Sequence, residues 1–246
     1  NMRDKVTTKP AQHIFVALDT SDLMHALKLA QMLKGRIGGV KIGKEFFTSH
    51  GPTGTRMIAD EGLPIFLDLK FHDIPNTVAG AVRASISLKP FILNVHAAGG
   101  RAMMESARDA AAEEANSQGV DRPLILGVTV LTSLDEADLK EIGLSSSTND
   151  QVRRLASLAQ ESGLDGVVCS ASEIESLRTH CGKEFKLLTP GIRPSWADVG
   201  DQKRVVSPLF ALSQGADFLV IGRPITSSDD PVTAISRIEH DLQHDG

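Results

Sequence analysis

A single (β/α)8 TIM barrel is the fold class this sequence predicts, on three observations. Short apolar, β-branched runs recur eight times with helical patterns between them, the signature of βα units and a parallel sheet. The length, 246 residues, suits one such barrel. Polar residues mark the carboxyl end of nearly every run: Asp19, Lys41, Asp68 with Lys70, His96, Thr132, Ser170, Arg193 and Arg223. An open, doubly wound sheet would give the same apolar runs, because its strands are also covered on both faces. It would scatter the polar ends, whereas a closed ring gathers them at one mouth. No GxGxxG fingerprint follows the first run, and no GxxxxGK[ST] loop occurs.

In chain order the expected strands are 13–19, 38–43, 64–70, 91–97, 124–130, 166–171, 186–192 and 218–223. Between the first two, Leu23, Ala26, Leu27, Ala30 and Leu33 recur at helical spacing, with Ser21 or Asp22 as N-cap and Gly35 as stop. Residues 102–117 are alanine-rich and amphipathic. Residues 149–162 put Val152, Leu155, Leu158 and Ala159 on one face ahead of Gly163. Asp230-Pro231 opens a last helix to about Leu242, with proline in its first turn. Segments 131–148 and 193–204 are longer polar connections, which in a barrel are candidate active-site loops.

The expected domain is one barrel over 13–242, preceded by a polar, flexible extension over 1–12 that lacks the apolar core of a signal peptide. A hydrophobic fraction of 41% and a charged fraction of 23% describe an ordinary soluble protein. The net charge of −5 argues against general binding of nucleic acid or anionic membranes, though a local basic pocket fits it. No apolar run approaches a membrane span, and a cytoplasmic protein is expected. The two cysteines, Cys169 and Cys181, have no CxxC spacing; Cys169 lies in an apolar run and reads as a buried structural thiol.

The chemistry concentrates in residues 66–77. Alternation along the third strand puts Leu67 and Leu69 on one side and Phe66, Asp68 and Lys70 on the other. Asp73 follows on the turn, and Pro75 prevents the strand from continuing. With Lys41, an ammonium inside Gly39-Val40-Lys41-Ile42-Gly43, these residues make an alternating acid–amine array. A structural ion-pair network is the plain alternative and also perturbs pKa values. Four such charges, three of them within residues 68–73, favour use, because burying charge is costly unless it is paired or employed.

A phosphate site is the second expectation. Thr189-Pro190-Gly191-Ile192-Arg193 closes strand seven and Ile221-Gly222-Arg223-Pro224 closes strand eight, the loops with which such barrels often bind phosphate. Glycine lets a backbone N–H approach the anion, and arginine supplies a planar fork of donors. Either motif alone reads equally as a turn with a solvated arginine. His96 reads as a hydrogen-bonded structural histidine rather than a metal ligand, His72 as outward or structural, and Trp196 as a loop residue placed to cover the mouth.

These motifs resemble orotidine 5′-phosphate decarboxylase in its compact bacterial form. The resemblance runs from about Phe15 to Ile238 and is most specific at Asp68, Lys70 and Asp73 (Asp-x-Lys-x-x-Asp), extended by Ile74-Pro75-Asn76-Thr77. Val40-Lys41-Ile42-Gly43, Asn94-Val95-His96-Ala97 and the two arginine-bearing motifs fit in order. It implies that Lys70 protonates C6 of the pyrimidine while Asp68 sits beside the scissile carboxylate. Lys41 and Asp73 complete the array, with Asp73 contributed by the second subunit of a homodimer. Asp19 and Lys41 hold ribose hydroxyls, and Thr77 reaches across from the partner. Thr132 contacts the pyrimidine. Arg193, Gln202, Gly222 and Arg223 grip the phosphate, under a lid near residues 194–203. No metal or cofactor is expected.

Two other classes stay in competition. Related sugar-phosphate enzymes on this barrel share Asp-x-Lys-x-x-Asp, so a Mg2+-dependent decarboxylase or aldolase is one, provided carboxylates are free to hold the ion. A catalytically silent nucleotide-binding protein is the other, although binding alone does not need an acid facing a substrate carboxylate.

Overall fold

The computed structural model describes residues 9–197 and 206–244. Eight parallel strands close into a barrel in sequence order, as expected. They are β1 (Ile14–Ala17), β2 (Gly39–Ile42), β3 (Ile65–Phe71), β4 (Ile92–His96), β5 (Leu124–Val128), β6 (Gly166–Val168), β7 (Lys186–Thr189) and β8 (Phe218–Ile221). Pairing of β1 with β8 shuts the ring. Between and after the strands run α1 (Leu23–Leu33), α2 (Lys44–Ala59), α3 (Pro75–Ile86), α4 (Arg101–Gln118), α5 (Glu136–Glu141), α6 (Thr148–Glu161), α7 (Ile174–Cys181), α8 (Pro208–Gln214), α9 (Arg223–Thr226) and α10 (Pro231–His244).

Helix ends follow local chemistry. The Asp22 carboxylate accepts the His25 N–H at the start of α1, and Ser147 does the same for Asp150 at α6. Gly119, at φ 66°, ends α4 in the left-handed conformation that costs glycine little. A turn at Pro10–His13 leads into β1, and Ala11 is fully buried, so the packed chain begins slightly ahead of residue 13.

Strand periodicity divides the core in two. Ile14, Val16, Val40, Ile42, Ile65, Leu67 and Leu93 face outward against the helices. Phe15, Ala17, Phe66, Ile92, Leu126, Val128, Val168, Leu188 and Val220 fill the barrel. Burial of such a side chain contributes about 1.5–3 kcal/mol. Gly39 has no side chain for a steric reason: a Cβ there would lie 2.5 Å from the Phe15 ring and 2.4 Å from the Pro64 carbonyl oxygen. At the amino end the rings of Phe15, Phe91 and Phe218 pack together, with centroids 5.7–6.1 Å apart.

The β3–β4 ladder is irregular. Leu67 pairs with Leu93 and Phe71 with Val95, so residues 68–70 stand opposite Asn94 alone. Lys70 takes a left-handed conformation, φ 48°, which costs a side-chain-bearing residue about 1–2 kcal/mol. Regular alternation through Lys70, expected from the sequence, is therefore corrected to a bulge.

Candidate active site

The positions that fill the barrel continue, two residues at a time, into the site. Ala17 leads to Asp19, Gly39 to Lys41, Phe66 to Asp68, Ile92 to Asn94 and Val220 to Gly222. The outcome is a cavity of about 380 Å³ at the carboxyl mouth, lined by these five polar-end residues with Lys70, Thr132, Arg193 and Arg223. Its apolar lining comes from Phe66, Val128, Val168, Leu188 and Val220.

Asp68 is the hub. Its Oδ1 accepts hydrogen bonds from Lys70 Nζ at 2.7 Å and Asn94 Nδ2 at 2.8 Å. Its Oδ2 lies 3.4 Å from Lys41 Nζ, which also donates to Asp19 Oδ1 at 3.1 Å. The line within this chain is thus Asp19–Lys41–Asp68–Lys70, alternating in sign, with Asp19 standing where the sequence expectation had Asp73. Burial alone would raise the Asp68 carboxyl. The charges of Lys41 and Lys70, with hydrogen bonds from Lys70 and Asn94, outweigh it and hold the group below the ordinary carboxylate range.

Asp73 and Thr77 are both exposed at the start of α3 and do not line the cavity of their own chain. Asp73 Oδ1 accepts the Ile74 N–H at 2.7 Å. Gln202 lies outside the described residues, as does the 198–203 part of the expected lid.

Two expectations change. His96 makes no hydrogen bond through its ring in the described residues. The ring instead meets His72, centroids 5.2 Å apart, because both flank the bulge. Burial, then the positive charge of His72, Lys44 and Lys70, pushes its pKa down to about 4. Trp196 does not cover the mouth. It is drawn to α10, where Arg237 stacks 4.4 Å over the ring and Asp241 accepts the indole N–H at 3.2 Å. Asn94, which the sequence reading left without a role, lies 1% exposed beneath the charged line. Cys169 is the expected structural thiol: burial pushes its pKa up to about 12, far from a nucleophile's. Among the described residues no group of three His, Cys, Asp or Glu side chains is placed to share a metal ion.

Comparison with known proteins points one way. The sequence profile of the orotidine 5′-phosphate decarboxylase / HUMPS family matches residues 12–238. The orotidine 5′-phosphate decarboxylase of Paramagnetospirillum magneticum is 50% identical over 93% of this chain and 97% of that protein. That of Rhodospirillum rubrum is 54% identical over 93% of each. The crystal structure of orotidine 5′-phosphate decarboxylase from Lactobacillus acidophilus superposes with a TM-score of 0.81 at 35% identity, covering 93% of this chain and 98% of that one.

Proposed function

The chain belongs to the orotidine 5′-phosphate decarboxylase / HUMPS family, and from that premise we propose that it converts orotidine 5′-phosphate to uridine 5′-phosphate and CO2 without a cofactor. This is the last step of pyrimidine nucleotide synthesis. The observation that carries the reading is the alternating Asp19–Lys41–Asp68–Lys70 line beside the apolar side chains of the cavity at the barrel mouth.

The chemistry asks for such a line. When the bond from C6 to the carboxyl group breaks, CO2 leaves and its electron pair stays on C6, in the ring plane, where the π-system delocalises it poorly. An ammonium already positioned there stabilises the developing charge. Lys70 then gives a proton from Nζ to C6, and solvent later restores it. Asp68 sits beside the departing carboxylate, and Lys41 separates the two acids. Asp19 and Lys41 take the ribose hydroxyls and Thr132 the base. Arg193, Arg223 and the Gly222 backbone hold the phosphate, with Gln202 added as the family resemblance implies.

Magnitudes explain why the phosphate matters. Enzymes lower barriers by about 8–23 kcal/mol or more, whereas one preorganised donor contributes about 3–4 kcal/mol. Binding energy from a remote, unreacting group makes up part of the difference by driving orientation at the ring.

The reading includes a cytoplasmic homodimer in which Asp73 and Thr77 complete the neighbouring site. Their exposure, with Ile74 67% exposed between them, supports it. No helix of the described residues is long and apolar enough to cross a membrane. The magnesium alternative is disfavoured by Asp68, whose two oxygens already face ammonium groups.

The test is decarboxylation followed by ultraviolet absorbance in EDTA, with Lys70→Ala beside the parent. Turnover by the parent under chelation is expected. In Lys70→Ala we expect near-complete loss of turnover with uridine 5′-phosphate still bound. Dependence of the parent on Mg2+, or unchanged turnover by the variant, overturns the mechanism; a parent that binds substrate and never turns over rejects catalysis.

A further inference from the structure

The irregularity in the β3–β4 ladder has a single side chain opposite it. Residues 68–70 bulge against Asn94, and a bulge leaves backbone groups without ladder partners. The Asn94 amide fills that gap in two directions. Its Oδ1 accepts the Lys70 backbone N–H at 2.9 Å, and its Nδ2 donates to Asp68 Oδ1 at 2.8 Å. It is buried, so neither bond exchanges readily with water. Lys70, left-handed at φ 48°, carries strain that persists only where surroundings over-determine it.

We propose that Asn94 is a positioning residue: by holding the Lys70 backbone and the Asp68 carboxylate at once, it sets the direction from which the Lys70 ammonium faces C6. This rests on the decarboxylase reading above. Without the amide, residues 68–70 relax toward a regular strand. The ammonium keeps its charge and loses its aim. The side chain must be an acceptor toward the Lys70 N–H and a donor toward a carboxylate. Asparagine meets both requirements at that reach, and aspartate meets them only while protonated.

Two variants test the inference, with kcat, KM and the uridine 5′-phosphate Kd measured across pH. For Asn94→Ala, kcat should fall about 100-fold, the scale of a misplacement near 1 Å. Product Kd should stay within about threefold, since the phosphate contacts are untouched. For Asn94→Asp, the new acid faces Asp68 at hydrogen-bond distance, and like charges raise the pKa of such a pair. One shared proton restores the donor, so its kcat should rise on going from about pH 7 to about pH 5 while the parent's does not. In a crystal structure of Asn94→Ala, Lys70 should leave the left-handed region.

Asn94→Ala with kcat within about threefold of the parent, or with product affinity lost in step with kcat, overturns the proposal. So does an Asn94→Asp pH profile parallel to the parent's, which decides alone should the alanine variant not fold. A parent without decarboxylase activity defeats the functional reading instead. The Lys70 conformation in either variant then still decides the positional claim: Lys70 unmoved in Asn94→Ala overturns it, and so does Lys70 displaced in protonated Asn94→Asp.

Discussion

His96 stands beside the charged line with its neutral form favoured. Its ordinary value is 6.5 and its folded value about 4, so between these the unfolded chain binds the extra proton. Stability therefore falls as pH drops from about 6.5 to about 4 and levels off below that range. Partial solvent access reduces the size of the effect. A His96→Gln variant should show a shallower decline in Tm over this window than the parent; parallel curves would contradict the assignment. Asp68 works in a different window. Its folded value lies below 3.8, so its contribution is present above that point and lost only as pH falls through the folded value. At this scale the charged residues were legible, because an ammonium or carboxylate in an apolar strand is too costly to be incidental. Asn94 was not, since a neutral amide carries a weaker signal and periodicity does not encode a bulge.

Among the elements, two aspartates repeat one device. Asp165, just before β6, accepts the Ile125 N–H of β5 at 2.8 Å and pairs with Arg122. Asp217, just before β8, accepts the Leu187 N–H of β7 at 2.8 Å and pairs with Arg178. Arg178 also donates to the carbonyls of Gly182, Phe185 and Gly215, tying the ends of α7 and α8 to the start of β7. Asp217→Ala strands a backbone donor and removes the counter-charge of a partly buried guanidinium, and should cost about 2 kcal/mol in urea unfolding. Because this end of the barrel is remote from the mouth, kcat per folded molecule should hold; a fall in kcat with unchanged stability would refute the division. The four named helices were legible from apolar spacing and capping residues. The α2 pattern was not, because Gly51 at φ 59° and Pro52 interrupt it. Except for β3, which runs one residue further to Phe71, the expected strands overran the observed ones, since apolar character continues past the last ladder bond.

For the whole molecule, closure followed from polar residues at successive strand ends, and the structure gathers all of them except His96 and Ser170 around one cavity. A partner subunit is a different matter, because periodicity in one chain reports only its own core. Asp73 and Thr77 lie outside their own cavity, so a homodimer with shared sites makes a complementation prediction. Lys70→Ala and Asp73→Ala should each be inactive alone. Mixed as equal parts and allowed to exchange, they should recover about a quarter of parental activity, from hybrids holding one intact site. No recovery where hybrids are demonstrated would remove Asp73 from the neighbour's chemistry, and a monomer in sedimentation would remove the dimer itself.

The three packed phenylalanines at the amino end of the barrel stopper it from behind. On the reaction proposed above, a gas formed at the charged line meets these rings at the amino end and departs through the entrance its parent used. With the nucleotide anchored by its tail as proposed, the order of departure follows: the small, untethered molecule first and the clamped one second.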